Sequence, residues 1–206
     1  MTKQKLLIGG VVALAAVIAL VPAAKIYAEE TADSQLTQEI LGGVLSTDIR
    51  DADGEIVDSP SFAMSDVSVS GQQQTSTGVF GDDDNRIYID NPGAADDGWT
   101  LAWGATTPVD GWKSEDNSYR YNGTPVQGQL TIDPSAATLN GSAAGVTLGQ
   151  QASFTGTTPL TLVTSDATSD TVWTGYLTGV GLSQTIPAGT PAGSYTLDMT
   201  QTITAN

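Results

Sequence analysis

The acidic side chains are the first candidates for chemistry. Asp82, Asp83 and Asp84 stand in a row, and "DADGE" places Asp51, Asp53 and Glu55 at alternate positions. Both runs offer oxygen ligands of the kind a calcium ion takes. The EF-hand pattern fails, because neither run continues into the alternating ligands, glycine and distant glutamate of that loop. Asp82, Asp83 and Asp84 are candidate metal ligands, set against the local role of aspartate in capping turn N–H groups. A glycosidase would need two carboxyls flanking a sugar bond. Asp110, Glu115 and Asp116 lie around Trp112, and their spacing defines no such pair. Histidine and cysteine are both absent. Histidine-dependent triads, thiol nucleophiles, disulfides and the usual zinc sites are therefore excluded. No G-x-S-x-G elbow, phosphate-binding loop or dinucleotide fingerprint occurs. The expectation is a chain that is not an enzyme and carries no cofactor.

The tryptophans are the other candidates. Residues 98–104 read "GWTLAWG" and hold two of the four tryptophans. In a strand, Trp99, Leu101 and Trp103 share one face, and Thr100 and Ala102 share the other. Such a face either stacks on sugar rings or fills a core. Leu101 between the two rings favours the core, since an exposed face of this kind invites aggregation. Trp112 follows "VDG" in an irregular stretch and is the better candidate for a ring facing a ligand.

The elements that must position these residues read as strands. Asp53-Gly54 between apolar runs predicts a tight hairpin turn. "RIYIDNPG", "QLTID", "GVTLG", "ASFTG", "PLTLVTS" and "TVWTGYLTGVGLSQTI" are further strands, with glycines at turns or bulges. Residues 105–128 predict a long excursion loop carrying short strands. In "SYTLDMTQTIT", Tyr195, Leu197, Met199, Gln201 and Ile203 alternate with threonines and Asp198. That period of two predicts a strand with one buried and one wet face. Nothing reads as a long helix. The fold class expected is all-β: a two-sheet antiparallel β-sandwich of immunoglobulin-like or Greek-key type, over residues 39–206.

Residues 1–28 have the parts of a secretory signal. Lys3 and Lys5 precede the uncharged run Leu6–Ala24, and small residues lead to a cleavage site after Ala28. The run is long enough that an uncleaved membrane anchor is the alternative. Residues 29–38 are a polar lead-in. Beyond residue 28 the basic residues are Arg50, Arg86, Lys113 and Arg120, against all 23 acids. So few cations exclude nucleic acid as a partner. Membrane contact is expected only through an uncleaved N-terminus.

Trp99-Thr100-Leu101 after a turn, in a threonine-rich exported chain, resembles the first W-x-L motif of the WxL cell-surface domain of Gram-positive bacteria. "IPAGTPAGSYTLDMTQTI" is similar to the end of that domain, where G-x-Y leads into a final strand with a second W-x-L. Gln201 stands in place of the second tryptophan and Ile203 in place of its leucine. The resemblance implies a two-sheet β domain, displayed on the envelope and attached non-covalently to peptidoglycan. The expected partners are a cell-wall polymer or other surface proteins. The alternatives are a carbohydrate-binding module using Trp112 and Trp103, or a pilus-like subunit exchanging a terminal strand.

Overall fold

The computed structural model describes residues 35–107 and 111–206. The expected signal segment over 1–28, most of the expected lead-in over 29–38 and Asp110 lie outside the described residues. Within them the regular structure is strand throughout, apart from short 3-10 turns at Pro125–Gln127 and Pro134–Ala136. No helix among the described residues is long and apolar enough to cross a membrane.

All strand pairing is antiparallel. The strands are β1 (Ser46–Arg50), β2 (Gln74–Phe80), β3 (Arg86–Pro92), β4 (Trp99–Ala105), β5 (Trp112–Lys113), β6 (Ser118–Tyr119) and β7 (Gln129–Asp133). They continue with β8 (Thr138–Asn140), β9 (Val146–Leu148), β10 (Ala152–Ser153), β11 (Leu160–Ser165), β12 (Val172–Thr178), β13 (Val180–Ile186) and β14 (Met199–Ala205). One sheet has the order β1-β3-β12-β8, a second β10-β7-β13-β2 and a third β14-β4-β11-β9, while β5 and β6 form a small ribbon.

The first two sheets are joined by their own strands. β12 passes through Gly179 into β13, β2 leads into β3, and β7 leads into β8. In each sheet these three lines are neighbours in the same order. β12 buries Trp173, Gly175 and Leu177, whereas β13 buries Val180, Leu182, Gln184 and Ile186. A strand of strict period two would turn the second set outward. Gly179 is the extra residue that resets the phase, at a φ of 83° that favours glycine, and its N–H is held by the Gly81 carbonyl at 2.8 Å.

Residues 40–206 share one core. Trp99 of β4 meets Trp173 of β12 at a ring-centroid distance of 5.2 Å. Trp103 stacks on Phe80 of β2 at 4.4 Å. The third sheet therefore packs its β4 side chains onto both of the others.

The hairpin reading holds at its turn and fails at its return arm. Gly54 N–H bonds to the Asp51 carbonyl, and the Asp51 carboxylate accepts from the N–H groups of Asp53 and Glu55. The chain then makes a single bridge, Arg50 with Ile56, before moving off to bridge Met64 with Gly78 of β2. The chain from Tyr195 to Ile203 alternates as predicted, but its ladder to β4 begins only at Met199. Thr196 instead bridges Lys113 of β5.

Candidate functional site

The tryptophan strand lies inside. Trp99 and Leu101 are fully buried and Trp103 is 7% exposed, so none of the three offers a ring face to a ligand. The two strands that carry the W-x-L likeness are partners. Gln201 pairs with Trp103 and Ile203 with Leu101. Gln201 donates from Nε2 to the Thr47 hydroxyl at 2.8 Å, so this terminal strand also contacts β1. Among the described residues its buried Oε1 has no hydrogen-bond partner, and neither has the buried indole N–H of Trp99.

Trp112 is half-buried rather than open. Its indole N–H donates to Oε1 of Gln184 at 2.8 Å. Gln184 is itself 1% exposed, and its amide nitrogen donates to the carbonyls of Arg120 and Thr185. Trp112 also stacks on Tyr119, whose ring meets Tyr195 edge-on at 5.1 Å. The excursion loop is thus tied to the core by a buried amide.

The acid run 82–84 serves a turn. One carboxylate oxygen of Asp82 accepts from the backbone N–H groups of Asp84 and Asn85 and from the Asn85 amide. No group of three or more acidic side chains converges among the described residues. Glu115 and Asp116 are exposed in the turn between β5 and β6.

A different face gathers polar and aromatic groups. On the outer side of the first sheet one row crosses all four strands: Asp48, Tyr88, Tyr176 and Asn140. The two tyrosine rings lie nearly parallel with centroids 6.4 Å apart. The Arg50 guanidinium sits 4.0 Å above the Tyr88 ring, and that of Arg86 4.7 Å above Tyr176. Arg50 forks onto Asp48 at 2.7 and 3.0 Å. The bond to Asp48 raises the Arg50 pKa above its ordinary value, against the opposing effect of burial. Beside the row, Thr174 donates to Asp90 at 2.7 Å. A hollow of about 310 Å³ opens here, with Asp53, Arg86, Tyr88, Asn140, Thr174 and Tyr176 in its lining. Among the described residues neither tyrosine hydroxyl has a hydrogen-bond partner. An arginine covers a face of each ring, so what the hollow offers a hydroxyl-rich ligand is its rim of phenol, carboxylate and amide groups, with ring edges between them.

Sequence reasoning missed this face. Period two alone puts Tyr88 outward between Ile87 and Ile89, and that was the available signal. What it lacked was the register that lays Tyr176 beside Tyr88 across 88 positions of chain.

A second hollow, about 390 Å³, lies at the far end of the second sheet. Its walls include Val67, Val69, Tyr119, Ile186, Pro187 and Tyr195. Burial, with a smaller contribution from Tyr195, pushes the Tyr119 phenol up to about 12. An unfolded tyrosine titrates near ~10. Above that pH the unfolded chain releases a proton that the folded chain keeps, so stability falls as pH rises from about 10 to 12. In a spectrophotometric titration of phenolate absorbance, Tyr119→Phe is expected to delete a late-ionising tyrosine. Loss of an earlier-titrating one would contradict that assignment.

No protein-family model, curated protein or solved structure matches the chain.

Proposed function

We propose that the chain is a non-catalytic, exported domain of the WxL-like kind, displayed on a bacterial envelope of Gram-positive type. It holds wall glycan non-covalently, and the outer face built on Tyr88 and Tyr176 is the binding surface. In this reading the first two sheets act as one bent layer and the third as the opposing layer of a two-sheet sandwich. The observation that carries the proposal is the stacked tyrosine pair with Asn140, Thr174 and Asp53 at its rim. The pairing of the two W-x-L-like strands supports the family likeness. It also gives Trp99, Leu101 and Trp103 a structural part, because they hold β4 against the sheets that carry the tyrosines.

A carbohydrate-binding module built on Trp103 and Trp112 is not favoured, because both indoles are engaged inside the chain. The tyrosines, by contrast, lie on an outer sheet face beside a hollow. Retention of the exported chain on purified peptidoglycan is the test. Tyr88→Ala combined with Tyr176→Ala is expected to weaken retention about tenfold or more, the effect of losing roughly 1.4 kcal/mol or more of contact. Unchanged retention of the double variant would reject this face. No retention of the parent chain at low salt would reject wall binding itself.

A further inference from the structure

Two of the four basic residues beyond residue 28 lie side by side on the face that carries the tyrosines. Arg50 of β1 is directly opposite Arg86 of β3. Like charges in that register repel, so each gains from a partner. Arg50 has one, because Asp48 takes it in a two-bond fork at 2.7 and 3.0 Å. No carboxylate pairs with Arg86 among the described residues, although the chain has 23 acids. Its Nη1 donates to the Ala52 carbonyl at 3.2 Å, an exposed bond to the Asp51–Gly54 turn. Its Nε is buried and has no hydrogen-bond partner among the described residues. A buried donor left unpaired costs more than an ordinary hydrogen bond returns. What holds this guanidinium is mainly the Tyr176 ring, 4.7 Å away, against 4.0 Å for Arg50 over Tyr88. Of the two covers, one is pinned and the other is loosely seated.

The hollow of about 310 Å³ beside Arg86 holds further polar groups that the chain does not use. Among the described residues the Asp53 carboxylate and the Asn140 amide make no hydrogen bond. The other acids of this face are engaged. Asp51 accepts the N–H groups of Asp53 and Glu55, Asp90 accepts the Thr174 hydroxyl, and Asp48 holds Arg50. Asp48, Asp51, Asp53 and Asp90 outnumber Arg50 and Arg86 here, and Asp82, Asp83 and Asp84 stand in the turn just before Arg86. The local balance is negative and works against an anionic ligand. Unspent donors at Arg86, with unspent acceptors at Asp53 and Asn140, match the hydroxyl and amide groups of an uncharged sugar.

We propose that Arg86 is the residue through which this hollow selects its ligand, and that the ligand is an uncharged sugar rather than an acidic one. The proposal rests on the glycan reading of the Tyr88–Tyr176 face. On binding, the guanidinium leaves the Tyr176 ring, gives its Nε–H and Nη–H groups to oxygen atoms of the sugar, and opens the ring face for the sugar to lie on. Arg50, forked onto Asp48, stays over Tyr88.

Nitrogen–proton NMR of the chain tests this. The buried Nε–H of Arg86 is expected to give its own signal, which Arg86→Lys identifies by deleting it. The chain is titrated with a neutral tetrasaccharide of N-acetylglucosamine and, separately, with a tetrasaccharide of galacturonic acid. The ring signals of Tyr88 and Tyr176 are followed alongside. The neutral sugar is expected to move the Tyr176 ring and the Arg86 Nε–H together and to leave the Arg50 Nε–H in place. The acidic sugar is expected to move neither. Arg86→Lys keeps the charge but loses the planar fork, and is expected to weaken binding of the neutral sugar about tenfold or more. Ring movement without the Arg86 signal, an equal response to the acidic sugar, or unchanged affinity of the lysine variant each overturns the proposal and leaves the glycan face standing. No ring movement with either sugar rejects the glycan face and this proposal with it.

Discussion

Replacing Trp99 with alanine is expected to lower folding stability by about 4 kcal/mol, the range found for deleting a buried large aromatic. The ring is fully buried and lies against Trp173, itself 1% exposed. Its removal empties the contact between the third sheet and the first, so both the transfer energy and a cavity term are lost. An ordinary domain is stable by only about 5–15 kcal/mol, so this single change removes a large share. Trp99→Phe is expected to cost clearly less. Phenylalanine keeps most of the ring contact and deletes an indole N–H that is buried without a partner. Urea titration followed by circular dichroism measures both, through the shift in midpoint at unchanged slope. An alanine variant within about 1 kcal/mol of the parent would mean that Trp99 does not join the sheets as described.

The second large effect is expected at Gly98, which precedes that ring. Its φ is 101°, a conformation that L side chains rarely adopt. A methyl group there would overlap the Ser165 carbonyl oxygen and come within 2.8 Å of the Asp166 Cα. Both obstacles are backbone, so no side chain can yield. The Gly98 carbonyl also accepts the Asn206 N–H at 3.0 Å, which ties the end of the chain to this turn. Gly98→Ala is therefore expected to cost about 3 kcal/mol or more, combining conformational strain with displacement of β11 from β4. Gly93→Ala provides the comparison. Gly93 has a φ of 82°, but the nearest atom to a new methyl is Val172 Cγ2 at 3.9 Å. Only the conformational part remains, about 1–2 kcal/mol. Thermal or urea unfolding of the two variants should separate by that difference. Equal losses would show that the close approach to Ser165 carries no weight.

Much of the β pattern is legible in the residues. Strict alternation in "WTLAW" and "SYTLDMTQTIT" predicts which side chains face inward, and Trp99, Leu101, Met199 and Ile203 lie as alternation requires. The run "TVWTGYLTGVGLSQTI" reads as strand, and Gly179, one of its three glycines, divides it into β12 and β13. Gln184 shows the limit. A polar residue at an inward position of a strand does not announce what it will bond. Only the folded chain brings Trp112, 72 positions away, to its amide oxygen. The excursion loop shows the same limit, since its irregular sequence suggests an open ring at Trp112 where the structure has a tethered one.

The sequence by itself determined the local facts: strands rather than helices, the alternation within "WTLAW" and "SYTLDMTQTIT", the turn chemistry at Asp51–Gly54, and the absence of histidine and thiol chemistry. These follow from period, backbone geometry and composition, which act over a few residues. Tertiary structure alone decided which strands became neighbours. That choice laid Tyr176 beside Tyr88 and brought Gln201 opposite Trp103. The physical reason is that antiparallel register between distant strands is set by the packing of whole faces. No short window of residues contains both partners.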